Sequence, residues 1–286
     1  MLKKLTRFYY PETIEEACKM LGSKGEKTAL IAGGTSEALR QDNSIEALVD
    51  ISRVKELDYI RVDSKTVRIG ATTPVQTIYQ SPDLKGATGE LLKTTAGKIG
   101  STLLRNSITA GGNLAAIFPW SDLPPAYLAL DAEVVLRKGK PKRTVPVENL
   151  IKERPANFLA ADEIIAEIIL PVYGKGTGTA FCKFAKTAND YSMITIASRI
   201  SLKGGNIDQA RIAINAVTIA PARCHEAEKM LEGQKPTQAL FAEVAAKIAE
   251  TAEIRKDFRA SKEYKREVLE VLVRRSLEEA FEKARK

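Results

Sequence analysis

A chain of 286 residues is long enough for one large domain or two, and its 44% apolar and 28% charged content is that of an ordinary globular protein. Lys and Arg outnumber Asp and Glu by 44 to 36, but the basic residues are scattered with no aromatic-interleaved patch, which argues against nucleic acid. No apolar run is long enough for a bilayer, and Met1 to Pro11 lacks the apolar segment of a signal peptide, so the expected compartment is the cytoplasm.

In chain order, Thr13 to Met20 reads as a short amphipathic helix, with Thr13 and Glu16 at capping-box spacing. Thr28 to Ala32 is an apolar strand that runs into a glycine pair, and Ala47 to Ile51 is a second strand. A turn begins at Val54 to Leu57. Tyr59 to Val62 and Thr66 to Gly70 look like paired strands, followed by a turn at Ala71 to Pro74 and a helix from Val75 to Tyr79. Ser81 to Gly89 reads as loop, Glu90 to Gly97 as helix, and Ile99 to Arg105 leads into a second glycine pair. Pro124 to Leu130 is expected as a helix, Ala132 to Arg137 as a strand, Gly139 to Arg143 as a basic turn continued by Val145 to Leu150, and Ile164 to Leu170 as a buried strand.

Tyr173 to Thr179, with three glycines, is the best linker candidate. Beyond it come a strand at Ala180 to Lys186, a loop through Asn189 and Asp190, apolar Met193 to Leu202, a turn at Gly204 and a strand at Ala210 to Val217. Two amphipathic helices, Pro236 to Thr251 and Ser261 to Arg285, close the chain, the second with Leu269, Leu272, Val273 and Leu277 on one face.

Scattered Cys18, Cys182 and Cys224 give neither a disulfide framework nor a zinc or four-thiolate cluster site, and the single His225 builds no metal site and no Ser/His/Asp triad. No metal ligand set and no catalytic acid, base or nucleophile is expected. What the chain does carry is two glycine pairs, Gly33-Gly34 in TALIAGGTSEAL and Gly111-Gly112 in ITAGGNL, each flanked by hydroxyls (Thr35, Ser36; Thr109). Glycine lets backbone take φ > 0 and lie against a ligand, and successive N–H groups in such a turn make a concavity that suits phosphate oxygens. Either pair alone is equally explained as a tight turn after a strand. Two together could clamp a pyrophosphate from two sides. Downstream, Asp122 sits in a Pro-Trp-Ser-Asp-Leu-Pro-Pro run whose prolines are expected to fix a loop.

IAGGTSEAL (31 to 39), TAGGNL (109 to 114) and SDLPPAYLALDAEVVL (121 to 136) resemble, in order and spacing, the FAD-binding medium subunit of the molybdenum hydroxylases, the xanthine dehydrogenase and carbon monoxide dehydrogenase family. FYYPETIEEACKML, ISRVKELDYI, IGATTPV, ADEIIAEIILP, AFCKFAKTANDYSMITIA, ARIAINAVTIAPARCHEAEKMLEG and DFRASKEYKREVLEVLVRRSL extend the resemblance over nearly the whole chain. It implies an α+β fold: a two-subdomain FAD-binding domain of the PCMH/vanillyl-alcohol-oxidase type at 1–175 (subdomains about 1–58 and 59–175), then a smaller α+β C-terminal domain at 176–286, an antiparallel sheet with helices. GxGxxG, the usual dinucleotide fingerprint, is absent, which argues against an ordinary Rossmann flavoprotein.

Residue by residue, the resemblance implies that Leu30, Ile31, Ala32, Gly33, Gly34, Thr35 and Ser36 wrap the FAD pyrophosphate. Thr109, Ala110, Gly111, Gly112 and Asn113 complete the cradle through their amides, and Asp122 accepts hydrogen bonds from sugar or ribityl hydroxyls. Ile169 and Leu170 pass main chain near the cofactor and Lys183 supplies a cation beside it, though apolar strand residues such as Ile169 and Leu170 are core more often than contact and Lys183, between Phe181 and Phe184, equally suits solvent. Where the family commonly has Arg, this chain has Lys186 or Thr187, and the inserted loop that holds an extra cluster in some relatives is missing. FAD carries the redox chemistry, while protein supplies position and electrostatics. The implied function is electron transfer from [2Fe–2S] clusters of an iron–sulfur small subunit, beside a molybdopterin large subunit, through FAD to a terminal acceptor such as NAD. Two other readings are a self-contained reductase of the UDP-N-acetylenolpyruvoylglucosamine type and a flavin-free docking subunit.

Overall fold

The computed structural model describes residues 2, 4–23, 26–36 and 42–286. Two compact units emerge, each assembled from separate stretches: Met1–Gln80, Ser101–Ile117 and Glu133–Ile169 form one, and Ser81–Gly100, Phe118–Ala132 and Leu170–Lys286 the other.

The first unit opens with β1 (Arg7–Tyr9), α1 (Ile14–Leu21), β2 (Thr28–Ile31) and β3 (Ala47–Asp50). The three strands form a parallel sheet in the order β1-β3-β2. Thr13 caps α1 by accepting from the Glu16 amide, while the Glu16 carboxylate takes the Glu12 amide at 2.9 Å, a capping box displaced by one residue. Ile14, Ala17 and Cys18 of α1 are buried with Val49, Ile51 and Leu57. Then come a 3-10 turn at Lys55–Leu57, the antiparallel pair β4 (Ile60–Val62) and β5 (Thr66–Gly70), and α2 (Val75–Gln80), as the alternation predicts. α3 (Gly86–Gly97) belongs to the other unit and starts four residues before the expected Glu90. Its glycines mislead: Gly89 lies inside the helix at a position where a Cβ would meet the Leu84 carbonyl carbon at 2.3 Å, so glycine there serves close packing and not a turn.

α4 (Thr102–Ser107) and α5 (Ala110–Ala116) return to the first unit, and α6 (Leu123–Ala129) to the second. Of the two readings of the Pro124-Pro125 pair, the helix holds and the loop does not: both prolines lie in the first turn of α6, where a missing N–H costs nothing. β6 (Glu133–Arg137), β7 (Lys142–Pro146), α7 (Val147–Glu153), α8 (Pro155–Phe158) and β8 (Ile164–Pro171) complete the five-stranded sheet, order β4-β5-β8-β6-β7.

The second unit's sheet comprises β9 (Thr177–Phe184), β10 (Ile194–Lys203), β11 (Asn206–Asn215) and β12 (Ala222–Arg223), all antiparallel in the order β12-β11-β10-β9. α9 (His225–Leu231), α10 (Gln238–Thr251) and α11 (Lys262–Ala284) follow. α9, which starts at His225, is absent from the elements expected above. Strand periodicity gives each face its own duty. Even-numbered Ile194, Ile196, Ile200, Ile212 and Ile214 pack with Phe241, Val244, Leu269, Val273 and Leu277 of α10 and α11. Odd-numbered Thr179 and Arg199 instead bond the Ala87 and Ala129 carbonyls, on α3 and α6. The expected linker is pinned within this unit, since the Tyr173 amide donates to Thr88 Oγ1 and the Tyr173 ring lies 3.8 Å from the Arg199 guanidinium. No helix among the described residues is long and apolar enough to cross a membrane.

Candidate functional site

Strand β2 carries alternating apolar residues into the first glycine pair: Leu30 and Ala32 pack toward the α1 core, Ile31 toward Ala29 and Leu48. At Gly33 the chain runs so close to the backbone leading into the second pair that a Cβ would lie 1.5 Å from the Ser107 carbonyl oxygen. Gly34 follows with φ +73, a conformation other residues adopt at a cost. Among the described residues, no backbone hydrogen bond occupies the amides of Gly33, Gly34, Thr35 or Ser36. Gly33 is also solvent-exposed, so this turn presents a run of uncommitted N–H donors, the makings of an anion-binding nest. Glu37, Ala38 and Leu39, the end of the motif, lie outside the described residues.

The second pair differs from its expected form. Thr109 is the N-cap of α5, its hydroxyl accepting from the Gly112 amide, and Gly111 and Gly112 lie in the first helical turn without positive φ. Close packing explains Gly111, where a Cβ would stand 2.6 Å from that of Ala71. The amides expected to face a ligand are engaged: Ala110 N donates to Thr73 O, Gly111 N to Ala71 O and Asn113 N to Thr109 O. What this segment leaves open is the buried Asn113 Oδ1, an acceptor with no partner in the protein. An acceptor without a donor fits a ligand hydroxyl, as a turn of donors without acceptors fits phosphate oxygens.

In the second unit, Asp122 and Lys183 are joined to each other. Lys183 Nζ lies 2.9 Å from Asp122 Oδ2, and Ser192 and Thr195 hydroxyls donate to Oδ1 at 2.7 and 3.1 Å. Both side chains are nearly enclosed, at 8% and 4% exposure, so Lys183 points inward and its ammonium also donates to Lys98 O. Burial pushes the Asp122 carboxyl up from its ordinary value, and the Lys183 charge and these three hydrogen bonds pull it back toward the ionised form. Ser192 and Thr195 are absent from the sequence reading, which took Met193 to Leu202 as merely apolar. Polar Thr195 and Arg199 alternating with Ile194, Ile196 and Ile200 were the available signal. Ile169 pairs with Glu133 in the first unit's sheet, and Leu170 is fully buried. No cluster among the described residues could hold a metal ion.

A glycine turn with free amides beside a capped helix start, next to a three-stranded parallel sheet and without GxGxxG, suits a nucleotide-binding domain outside the Rossmann type. Two family models match: the FAD binding domain in molybdopterin dehydrogenase over residues 3–173, and the CO dehydrogenase flavoprotein C-terminal domain over 179–280. The glyceraldehyde dehydrogenase medium chain of Sulfolobus acidocaldarius is 31% identical, covering 94% of this chain and 95% of that one. The carbon monoxide dehydrogenase medium chain of Hydrogenophaga pseudoflava is also 31% identical, over 98% and 99% of the two chains. A solved structure of that carbon monoxide dehydrogenase, lacking the Mo-pyranopterin moiety of its cofactor, superposes with a TM-score of 0.92 at 30% identity over 99% of both chains. The chain belongs to the FAD-binding medium subunits of the molybdenum hydroxylase family, and is the subunit of an FAD-dependent oxidoreductase.

Proposed function

We propose that this chain takes electrons from [2Fe–2S] clusters on an iron–sulfur partner and passes them through FAD to a terminal acceptor such as NAD, within a cytoplasmic complex that also holds a molybdopterin subunit. The observation that carries this reading is the Gly33–Ser36 turn, whose free amides are supported from behind by Ser107. In it, Leu30 to Ser36 hold the cofactor's diphosphate, with Gly33 and Gly34 allowing the approach and Thr35 and Ser36 adding hydroxyl donors. Thr109 to Asn113 act differently from a second amide cradle: Thr109 shapes the helix start, Gly111 seats it on Ala71, and Asn113 Oδ1 accepts from the cofactor. Asp122 serves the sugar or ribityl hydroxyls, Lys183 sets its charge, and Ile169 and Leu170 contribute main chain. When bound, FAD supplies the redox chemistry, exchanging two electrons with the acceptor and one at a time with the clusters. This chain's own part is to bind, orient and shield.

The test is direct. The purified chain, or the colourless chain given FAD, is expected to show flavin absorbance with one FAD per chain, and FAD reduced through the assembled complex should reoxidise on addition of NAD. Colourless protein that takes up no FAD overturns the reading, and reoxidation by another acceptor only overturns NAD.

A further inference from the structure

Three donors hold the buried Asp122 carboxylate, and two of them come from paired strands: Lys183 of β9 stands opposite Thr195 of β10 in register. The third bond is the shortest, from the Ser192 hydroxyl at 2.7 Å, and it comes from outside any strand, since β10 begins at Ile194. A carboxylate offers about four acceptor sites, so these bonds leave one for a ligand hydroxyl and set its direction. Irregular backbone gains conformational entropy by leaving a bonded geometry, so Ser192 keeps its hydroxyl in place only if the main chain beneath it is held.

That hold comes from the loop before α11. Arg259 Nη1 donates to the Ser192 carbonyl at 2.9 Å and to the Tyr191 carbonyl at 3.3 Å. The other edge of the guanidinium belongs to Asp257, whose Oδ2 accepts Nη2 at 2.8 Å and Nε at 3.3 Å while Oδ1 accepts the Arg259 amide at 2.9 Å. Asp257 is anchored in turn by Lys265 of α11, 1% exposed, at 2.9 Å, and Lys265 also donates to Arg255 O. A planar fork bonded on both edges is a fixed clamp on the Tyr191–Ser192 main chain. The Tyr191 ring reports on that clamp. It lies 4.8 Å from the ring of Trp120, which stacks on Phe118 at 5.1 Å, and Trp120 is the single tryptophan of the chain.

We infer that Arg259 is a positioning residue for the flavin site: through the Tyr191–Ser192 main chain it holds the Ser192 hydroxyl on Asp122, and so keeps that carboxylate aimed at the cofactor. This rests on the reading of Asp122 as a flavin residue. Lysine is no substitute, because one ammonium cannot engage Asp257 and two carbonyls as the fork does.

The experiment compares wild type, Arg259→Lys, Ser192→Ala and the double variant. The complex assembled with each is stripped of flavin and titrated with FAD, and Trp120 emission is recorded on each full chain without flavin. Ser192→Ala is expected to weaken FAD binding about tenfold and to leave Trp120 emission as in wild type. Arg259→Lys keeps a cation beside Asp257, so its melting temperature should stay close to wild type. Its FAD affinity should nevertheless fall at least about threefold, and its Trp120 emission should shift as Tyr191 loses its hold. The double variant should bind no more weakly than Ser192→Ala, because Arg259 acts through that hydroxyl; this comparison decides even if Arg259→Lys melts lower. Losses that multiply in the double variant overturn the positioning role. So does wild-type affinity in either single variant, including a Trp120 shift with no change in FAD binding, and in each case FAD uptake by wild type leaves the flavin reading standing. If the wild-type complex takes up no FAD, both fail.

Discussion

A single methyl group at residue 33 probes the glycine turn most sharply. Gly33→Ala would bring Cβ within 1.5 Å of the Ser107 carbonyl oxygen, and because that atom is backbone, the turn itself must move. The expected outcome is loss of FAD from the purified chain together with a lower melting temperature. Gly174→Ala, where nothing lies within 4 Å, should change neither. Absorbance and thermal unfolding of the two variants separate the cases. The Asp122 and Lys183 pair gives a second measurement at this scale. Lys183→Met leaves a 4%-exposed carboxylate without its cation and should cost about 3 kcal/mol, read as the shift of a urea midpoint. Asp122→Asn on that background should recover part of the loss, because Asn cannot be left charged and its amide oxygen can still accept from Ser192 or Thr195.

Among elements, the loop before α11 makes a pH prediction. Burial opposes the charge on Asp257, but hydrogen bonds from Arg259 and Lys265 outweigh it and hold the carboxyl well below its ordinary 3.8. A depressed carboxyl contributes stability above its unfolded value and loses it as pH falls through the folded one, so Asp257 should weaken the fold progressively below about pH 4. Asp257→Asn is expected to be less stable at pH 7 by about 3 kcal/mol and to lose less on acidification, checked by urea unfolding at both pH values. The longer apolar strands and the last two helices were legible because each repeats one chemical instruction: Thr28 to Ala32 is apolar before a glycine, and Leu269, Val273 and Leu277 recur at helical spacing into full burial, whereas polar β7 read as a turn. Helices that begin in glycine were legible only in part or not at all. In Gly86–Gly97 and Ala110–Ala116 glycine serves close packing, against Leu84 and Ala71, and local sequence cannot distinguish that use from a loop. The candidate site was legible to the same degree. Both glycine pairs and Asp122 stood out, but the occupancy of the second pair's amides, and the joining of Asp122 to Lys183, Ser192 and Thr195, depend on partners tens of residues away.

Across the whole molecule, the interleaving of the two units sets what can be separated. A cut at the glycine-rich stretch 173–179 looks natural, and it is where the two family models meet. Yet the sheet β9 to β12 takes α3 and α6 from upstream of that cut. Buried Arg199, at 0% exposure, reaches the Ala129 carbonyl at 3.0 Å and Asp131 at 2.5 Å, and Asp131 also receives Arg211 and Arg223. Asn215 donates to the Ser121 carbonyl at 2.7 Å. A fragment 174–286 would keep Arg199, Arg211 and Arg223 and lose Asp131, leaving three arginines without their shared carboxylate on a sheet face stripped of α3 and α6. Fragment 1–173 would in turn expose the buried side chains of α6, among them Tyr127 and Leu128. Expressed alone, 174–286 is expected to lack a cooperative thermal transition, whereas 81–286, which restores α3 and α6, should recover one. A sharp melt of 174–286 would show that the odd-numbered face of its sheet does not depend on those helices.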